Sequence, residues 1–345
     1  MSFISHYTIT DKLLASIKEV NRLVTELNHR RFPRVVLVQL QHTAHALSTY
    51  ASTSIEGNSL PLTEVKKILK STPPHPRDSQ QEVLNYNQAL LDLDNQLDQG
   101  TITLTDKLIR SIHQTVTQQL LPKFETGQYR QKPIVVHDPK TRNIIFLPPD
   151  HQAVPTLIND LVKFVKNNSS QIDPLILAGI THKQLVLIHP FMDGNGRTTR
   201  LITKALLANM GLNTFKLLSF ENYYNQNVSK YFSLVGEQGN YYDLVDKIDF
   251  TPWLEYFVDG IIDELLRVTA LMPSLARSPK TELLPDQKRL LNIIAQKGFA
   301  ADSDYAKITQ RAKATRALDF QKLIELGLIT RKAKGKNTYY VLKEG

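Results

Sequence analysis

The stretch His189-Pro-Phe-Met-Asp-Gly-Asn-Gly-Arg-Thr-Thr-Arg200 decides the fold of this chain. Before it, residues 175–187 are mostly apolar. After it, residues 197–209 repeat apolar side chains at helical spacing, and a glycine soon marks their end. The sequence therefore predicts a helix, a short loop, and a second helix that starts near Asn195 or Gly196.

The start of that second helix has the features of an anion site. A helix N-terminus offers free N–H groups and the positive end of the helix dipole. Gly194 and Gly196 carry no Cβ, so the backbone can approach phosphate oxygens closely. Arg197 and Arg200 lie three residues apart on one helix face, and arginine forms forked, charge-assisted bonds with phosphate. These residues predict a site for a phosphate-bearing group.

Two further side chains in the stretch carry chemistry. Asp193 is a hard oxygen ligand of the kind that Mg²⁺ takes alongside phosphates, and His189 can accept a proton near neutral pH. Taken singly, each feature also has a structural interpretation, as a histidine before proline, a polar turn or a solvated helix face. Their combination in one string favours a reactive site. The chain lacks the Gly-x-x-x-x-Gly-Lys-Ser/Thr loop, which excludes that class of nucleotide enzyme.

The string resembles the signature of the Fic family, His-x-Phe-x-Asp/Glu-Gly-Asn-Gly-Arg-x-x-Arg, at every specified position. The resemblance implies transfer of a nucleoside monophosphate, usually AMP from ATP, to a protein hydroxyl. It also implies a role for each residue: His189 as general base, Asp193 as ligand of Mg²⁺, Gly194, Asn195 and Gly196 as phosphate cradle, Arg197 on the β- and γ-phosphates, and Arg200 on the γ-phosphate in the active state.

A predicted β-hairpin lies upstream of the motif. Residues 134–136 and 144–149 are rich in β-formers and flank a polar turn that contains Asp138-Pro139. In Fic proteins such a hairpin, the flap, lies beside the site and positions the target by strand addition. By resemblance, its residues here are Ile144, Ile145, Phe146 and Leu147. A small structural hairpin is the alternative.

Two other segments resemble parts of the family. Thr126-Gly-Gln-Tyr-Arg130 resembles its Gly-x-Tyr-Arg element. Residues 222–232 resemble the segment that closes over the adenosine, which makes Asn227 and Tyr231 candidate nucleotide contacts. The family often has arginine after this asparagine, whereas Val228 follows here. Packing is the alternative role for most of the aromatic residues in this segment.

A second motif, Ser52-Thr-Ser-Ile-Glu-Gly57, resembles the Fic inhibitory pattern Ser/Thr-x-x-x-Glu-Gly/Asn. Ser52 and Glu56 are four residues apart and share a helix face, and Gly57 can end that helix. An ordinary helix end is the alternative. By resemblance, the Glu56 carboxylate pairs with Arg200 and occupies the space of the γ-phosphate, so that the nucleotide binds in a non-productive pose.

The predicted fold class is mainly α, a Fic-type helical bundle with a β-hairpin flap and a C-terminal winged helix-turn-helix domain. We expect an N-terminal helical region over residues 1–104, with the inhibitory helix at about 37–57. The catalytic core follows over residues 105–272. Residues 273–285, which contain several prolines and serines, are the best linker candidate. The winged helix takes up residues 286–345.

The C-terminal segment is strongly basic. From Lys280 onward there are 14 Lys plus Arg and 7 Asp plus Glu, so about +7 of the chain's +9 charge lies there. Three predicted helices are followed by two strands around a basic turn at residues 331–336, the order of a winged helix. Lys313 and Arg316 on the third helix are candidate phosphate contacts, as are basic residues of the turn. DNA binding and a protein-contact role are both open.

Composition limits the remaining choices. The 345 residues are 41% hydrophobic and contain no cysteine, which excludes disulfides and thiolate metal sites. No apolar run approaches the length of a membrane span, and the first residues lack a basic start followed by an apolar block. We therefore expect a cytoplasmic protein that does not contact membranes.

These observations lead to one leading hypothesis and several alternatives. The leading hypothesis is a protein adenylyltransferase that uses Mg²⁺ and ATP to modify a Ser, Thr or Tyr hydroxyl and is inhibited by Glu56. Its expected partners are ATP, an unidentified target protein, itself as a substrate, DNA and a second copy in a homodimer. The alternatives are transfer of UMP or phosphocholine, hydrolysis of AMP from a modified protein, and a DNA-binding regulator whose Fic domain senses nucleotide.

Overall fold

Helices form most of the structure, as the apolar periodicity predicts. The computed structural model describes residues 3–29, 34–138, 141–208, 215–276, 283–333, 335 and 338–343. Contacts between residues divide the chain into two units, the first of residues 1–29 and 44–266, the second of residues 30–43 and 267–345. The expected domain boundaries stay predictions. The expected linker lies partly outside the described residues.

The first unit is built from twelve helices among its described residues, two of which, the second and the twelfth, also contribute residues to the second unit. They are α1 (Asp11–His29), α2 (Arg34–Ile55), α3 (Leu62–Lys70), α4 (Asp78–Gln99), α5 (Asp106–Thr117), α6 (Val154–Asn168), α7 (Pro174–Ile188), α8 (Asn195–Ala208), α9 (Phe220–Gln226), α10 (Val228–Val235), α11 (Tyr241–Leu244) and α12 (Thr251–Ala276).

The apolar segment before the motif forms α7, which is buried on nearly every side. A helix that is apolar all round belongs in a protein interior. The Asp173 carboxylate caps its first turn by accepting a hydrogen bond from the N–H of Leu175 at 2.9 Å, and Pro174 suits the first helical position. Ile180 and Ile188 are fully buried, and each contributes about 1.5–3 kcal/mol of apolar burial. Helix α7 thereby carries the motif at the edge of the core.

Helix α5 lies against the motif from another side. The hydroxyl of Thr105 caps its start by accepting from the N–H of Leu108 at 3.1 Å. Its buried face includes Ile109, Ile112 and Val116, which join the same core as the end of α7. His113 lies on this buried face and so faces the motif.

The predicted hairpin is present and belongs to a three-stranded sheet. Strand β1 (Val136–His137) pairs antiparallel with β2 (Ile144–Leu147), and β2 pairs parallel with β3 (Gly239–Asn240). The first strand is shorter than residues 134–136 suggested. The third strand was not predicted, because two residues carry no periodic pattern.

The second unit contains α13 (Pro285–Lys297), α14 (Asp302–Ala306), α15 (Lys313–Glu325), and the antiparallel strands β4 (Ile329–Lys332) and β5 (Tyr339–Leu342). This is the element order expected of a winged helix, and that assignment stays a prediction. Tyr305 and Phe320 are buried in its interior, and Phe320 stacks on Tyr340 with ring centroids 4.0 Å apart. Among the residues that the structure describes, we find no helix with the length and apolar character that a membrane span requires.

Candidate active site

The motif forms the predicted helix, loop and helix. Helix α7 ends at Ile188, and the next residue, His189, adopts the left-handed conformation with φ 49° and ψ 61°, a region that residues other than glycine seldom occupy. Helix α8 begins at Asn195, one of the two positions expected. The left-handed turn ends α7 abruptly and directs the chain into the loop.

The imidazole of His189 is oriented by its own helix. Its Nδ1 lies 3.2 Å from the carbonyl oxygen of Val186, and because a carbonyl can only accept, Nδ1 carries the proton. Nε2 then has a free lone pair. Burial lowers the pKa of His189, with a smaller lowering contribution from the Arg130 guanidinium. The ring is therefore neutral at neutral pH, as a general base must be.

Arg130 anchors the start of the loop. Its Nε donates to the carbonyl of His189 at 2.9 Å, and its backbone N–H donates to the carbonyl of Pro190 at 3.0 Å. Its guanidinium also donates to the carbonyl of Pro149 at the end of the hairpin. The sequence singled out this segment only by resemblance. In the structure Arg130 is 2% exposed and joins the histidine to the flap.

The side chain of Asn195 fixes the shape of the loop. The amide of Asn195 both donates to the carbonyl of Phe191 and accepts from its N–H, each at 2.9 Å. Both ends of the side chain are thus engaged in shaping the loop, so Asn195 can contribute to a phosphate cradle through its backbone. Gly194 has φ 76°, and a Cβ there would lie 2.8 Å from Cγ2 of Thr117, so this position requires glycine.

His113 is a second histidine at the site that the sequence did not reveal. Its Nδ1 accepts from the N–H of Gly127 at 3.0 Å, so Nε2 carries the proton and donates to the carbonyl of Asp193 at 2.9 Å. Its ring stacks on Phe191 at 3.7 Å. Burial lowers its pKa to about 4, which keeps it neutral. His113 therefore supports the loop rather than exchanging protons.

Both arginines of the motif are buried and already paired. Arg197 is 2% exposed; its Nη2 donates to Asp193 at 2.8 Å and its Nη1 to Glu82 at 3.1 Å. Arg200 is fully buried; its Nε donates to the hydroxyl of Ser52 at 2.7 Å, and its Nη2 donates to the Ser52 carbonyl at 2.9 Å. The sequence predicted both guanidiniums on one helix face, and in the structure Arg197 and Arg200 bind two different sets of partners.

Glu56 reaches Arg200 across 144 residues of sequence. Its Oε1 accepts from Nη2 of Arg200 at 2.7 Å, and 29% of the Glu56 side chain is exposed. Burial by itself lowers the pKa of Arg200, but the Glu56 carboxylate and Tyr231 raise it overall. A Cβ on Gly196 would lie 2.1 Å from the same Glu56 oxygen. The carboxylate therefore lies directly against the first turn of α8, where an anion would bind.

Tyr231 contacts Arg200 of the motif, and Asn227 lies at the start of α10. The hydroxyl of Tyr231 lies 3.5 Å from Nη1 of Arg200 and 3.0 Å from Nε2 of His182. His182 Nδ1 donates to the hydroxyl of Thr203 at 2.9 Å. Nε2 of His182 therefore accepts the hydrogen bond from the hydroxyl of Tyr231. Tyr231 thus contacts Arg200 and is buried. Asn227 is exposed and caps α10, accepting from the N–H of Lys230 at 3.1 Å.

The flap residues lie in the middle of their sheet. Phe146 pairs with Val136 on one side and with Gly239 on the other, and Leu147 pairs with Asn240. Strand addition by a target at these two positions would require displacement of β3. The outer edge of β1 and the stretch at Ile144 and Ile145 are the places where a target strand could pair. The side chain of Phe146 is buried and that of Ile144 is exposed.

The acidic groups at the site suit Mg²⁺ bound together with phosphates. The side chain of Asp193 is 59% exposed at the start of α8. The described residues contain no group of three or more His, Asp or Glu side chains that could hold a metal by themselves. Mg²⁺ is commonly bound by one or two carboxylates plus substrate phosphates, and Asp193 fits that pattern.

The second unit commits part of its positive charge internally. Arg316, an expected phosphate contact, donates to both oxygens of Asp302 at 2.8 and 2.9 Å. Arg311 donates to both oxygens of Asp319, which is buried. Arg316 therefore joins two helices of its own unit and is not free for DNA in this structure. Lys313 is exposed, whereas Lys334 and Lys336 lie outside the described residues.

Comparison with known proteins agrees with this geometry. Residues 103–207 match the sequence model of the Fic/DOC family. The protein adenylyltransferase Fic of Nematostella vectensis is 32% identical over 166 residues, which are 47% of this chain and 37% of that protein. The protein adenylyltransferase fic-1 of Caenorhabditis elegans is 31% identical over 202 residues, 56% of this chain and 38% of that protein. The chain thus spans well under half of the length of either relative.

Two solved structures share the fold. A Fic family protein from Desulfovibrio desulfuricans superimposes with a TM-score of 0.67 at 19% identity, covering 99% of this chain and 98% of the other. Fic-1 from Caenorhabditis elegans gives a TM-score of 0.58 at 22% identity, covering 76% of this chain and 73% of the other. The predicted mainly helical fold class is confirmed. Residues 103–207 therefore match a Fic/DOC domain with its motif intact, and the solved Fic structures share the fold of the chain.

Proposed function

We propose that this chain is a protein adenylyltransferase, which transfers AMP from ATP to a protein hydroxyl and releases pyrophosphate. The proposal rests mainly on a neutral histidine with Nε2 free. It precedes the loop that leads into α8, a helix whose first turns carry two buried arginines suited to an anion. The relatives named protein adenylyltransferase, at 24–32% identity, support the same reaction.

The proposed reaction uses His189 as the base. Nε2 takes the proton of the target hydroxyl, and the hydroxyl oxygen forms a bond to the α-phosphorus of ATP. The bond between the α-phosphorus and the oxygen bridging to the β-phosphate breaks, and pyrophosphate leaves with that electron pair. In-line displacement depends mainly on alignment of the phosphates. The Nδ1 bond to Val186 keeps Nε2 directed outward while it carries the proton.

The phosphates would bind at the start of α8. The N–H groups of Gly194 and Gly196 offer a cradle without a Cβ, and Arg197 and Arg200 supply charge. Asp193 would hold Mg²⁺ together with phosphate oxygens, and the ion would neutralise charge that develops on them. The pairing of Asp193 with Arg197 at 2.8 Å keeps both groups at the site.

Glu56 would inhibit the enzyme in the structure described. Its carboxylate binds Arg200 at 2.7 Å and lies against Gly196. It therefore takes both the contact with Arg200 and the position beside Gly196 that a γ-phosphate would need. ATP would then bind with its α-phosphate out of line with the attacking hydroxyl. A signal that moves Glu56 away from Arg200 would activate transfer.

The target is a protein hydroxyl whose identity is open, and self-modification is part of the proposal. Transfer of another nucleotide and hydrolysis of AMP from a modified protein are the competing reactions at the same site. Incubation with labelled ATP, UTP, GTP and CTP, followed by intact mass spectrometry of the chain, tests the proposal. A mass increase of one AMP supports it, and a gain from a different nucleotide identifies that nucleotide as the substrate. Absence of any gain in both wild type and Glu56→Gly argues against self-modification.

For the second unit, we propose non-specific DNA binding through exposed basic residues such as Lys313, with the alternative that the unit contacts protein. Its charge excess supports binding, whereas the pairing of Arg316 with Asp302 reduces the basic surface on α15. A gel-shift titration of the full chain against duplex DNA should show binding at low salt that weakens as salt rises. No binding at low salt would favour protein contact. Homodimer formation also stays a prediction, which sedimentation of the full chain tests.

A further inference from the structure

Glu82 on α4 contacts both Arg197 of the motif and Asn58, which follows the inhibitory helix. Its Oε1 accepts from Nη1 of Arg197 at 3.1 Å, and its Oε2 accepts from Nδ2 of Asn58 at 2.7 Å. Asn58 lies two residues after Glu56 in the sequence. One carboxylate thus contacts both the motif arginine and the segment that follows the inhibitory helix. The sequence motif contains neither Glu82 nor Asn58.

Asn58 is fixed on several sides. Besides its bond to Glu82, Nδ2 donates to the carbonyl of Ser79 at 2.8 Å, and Oδ1 accepts from the N–H of Leu60 at 3.1 Å. Its backbone N–H donates to the carbonyl of Thr53 at 3.1 Å. Asn58 therefore attaches the end of α2 to the start of α4 and holds the Glu82 carboxylate in one orientation.

The guanidinium of Arg197 is arranged so that Glu82 need not compete with a phosphate. Nε and Nη2 form one edge of the group, while Glu82 holds the remaining nitrogen, Nη1. Nη2 contacts the exposed carboxylate of Asp193, and Nε is buried without a hydrogen-bond partner. Arginine binds phosphate through two N–H groups on one edge. The edge opposite Glu82 therefore has an unsatisfied donor, which points to an anionic ligand.

Gly57 lies between Glu56 and Asn58, whose side chains act on different arginines of the motif. It has φ 95°, a conformation that glycine tolerates. On one side, Glu56 contacts Arg200 and lies where a phosphate would bind. On the other side, Asn58 supports Arg197 through Glu82. The bonds of Asn58 to α4 do not involve Glu56, so removal of the Glu56 carboxylate leaves them in place.

We propose that Glu82 is a positioning residue for Arg197 and that Asn58 supports it, so that the end of α2 both inhibits the site and helps to build it. The proposal rests on the proposed function for the identity of the ligand, ATP. It predicts that a substitution at Asn58 weakens ATP binding, whereas one at Glu56 relieves inhibition. If the whole segment only inhibited, both substitutions would favour productive binding.

The test uses the full chain with Glu56→Gly as the parent, so that inhibition is already removed. Calorimetry measures the dissociation constant of ATP in the presence of Mg²⁺, and transfer assays measure KM for ATP and kcat. We expect Glu82→Ala to weaken ATP binding about tenfold, the loss of roughly one charge-assisted hydrogen bond. The KM for ATP should rise by a similar factor while kcat changes much less. Glu82→Gln, which retains an acceptor for Arg197, should recover part of the loss.

Two more variants test the link itself. Asn58→Ala should weaken ATP binding less than Glu82→Ala does, and the two substitutions together should be no worse than Glu82→Ala alone, because they act through one contact. Asp92→Ala is the matched control, since it removes a carboxylate of α4 that accepts from Gln88 at the surface. It should leave ATP binding unchanged.

Unchanged or tighter ATP binding in Glu82→Ala would overturn the proposal and would make Glu82 a competitor of the phosphates. Additive losses in the Asn58→Ala, Glu82→Ala double variant would overturn the link between the two residues. These outcomes are distinct from failure of the proposed function. If the parent binds ATP but does not modify itself, self-modification is wrong while the binding data still decide the role of Glu82. If the parent does not bind ATP, both proposals fail.

Discussion

Replacement of Glu56 by glycine should raise the rate of transfer. The substitution removes the carboxylate that holds Arg200 at 2.7 Å and lies against the first turn of α8. Arg200 keeps its bonds to the hydroxyl and carbonyl of Ser52, so its side chain stays in place. Glu56 follows the last residue of α2, where glycine costs little helix stability. The variant should therefore fold with its γ-phosphate position open.

The magnitude follows from the type of contact. Arg200 is fully buried and the Glu56 side chain is partly exposed, so their bond belongs to the charge-assisted class. Such bonds contribute about 1.5–3 kcal/mol. If ATP must break this contact to reach its productive pose, its removal lowers the barrier by the same amount. At about 1.4 kcal/mol per tenfold change, the rate should rise about 10- to 150-fold.

The assay is the initial rate of self-modification at equal protein and ATP concentrations. Wild type, Glu56→Gly, Glu56→Gln, Arg200→Ala and the Glu56→Gly, Arg200→Ala double variant are compared, with folding checked by thermal unfolding. Arg200→Ala should not activate, because the γ-phosphate loses its own partner, and the double variant should lose the gain. Glu19→Gln, which removes a carboxylate from a surface pair with Arg22, is the matched control and should match wild type.

A rate in folded Glu56→Gly that equals or falls below wild type would refute the reasoning. It would mean that residues 52–57 are only a helix end and that the Glu56–Arg200 pair is structural. Equal activation by Arg200→Ala would also contradict it, because the arginine would then have no role in binding the γ-phosphate.

Four further outcomes are expected. His189→Ala should abolish transfer while ATP binding measured by calorimetry is retained, and undiminished transfer in a folded variant would remove the role as base. Since burial lowers the pKa of His189, the histidine stays neutral below its ordinary pKa of about 6.5; kcat should therefore fall only at more acidic pH, and an acid limb above that value would contradict the pKa direction. Asp193→Ala should lower activity and its dependence on Mg²⁺, and a rate that metal chelation leaves unchanged would argue against a metal there. Gly179→Ala should destabilise the first unit by about 1–3 kcal/mol in chemical unfolding, because the added Cβ would lie 2.6 Å from Leu254; an unchanged midpoint would show that Leu254 can move aside.

Local patterns in the sequence determined much of the fold. The apolar segment before the motif predicted α7, and the helical spacing of apolar residues after it predicted a start of α8 near Asn195 or Gly196, which the structure places at Asn195. The β-rich runs predicted the flap strand at Ile144–Leu147. These elements depend on periodicity, capping and turn residues within a few positions of each other, which one sequence displays directly. Resemblance to the Fic family supplied the expected chemistry of His189.

Apart from the Glu56–Arg200 pair, which resemblance to the Fic family predicted, the contacts between distant residues at the site followed from tertiary structure. Nothing near Glu82 indicates that it contacts Arg197, because that contact requires α4 and α8 to pack side by side, and nothing near Asn58 indicates that it bonds Glu82. His113 is one of several helical histidines until α5 places it against Asp193. Tyr231 could be taken for packing until its hydroxyl was found beside Arg200.

The same distinction explains where the sequence was least informative. Strand β3 has two residues, too few for a pattern, and only its pairing with β2 shows that Phe146 has a strand on both sides and that Leu147 pairs with Asn240. Arg316 looks like a free cation in the sequence, but the fold brings Asp302 to it. The sequence by itself determined the helices on either side of the motif and the residues of the motif that can do chemistry. The tertiary structure decided which charges are paired, because pairing depends on distances between helices that no local pattern encodes.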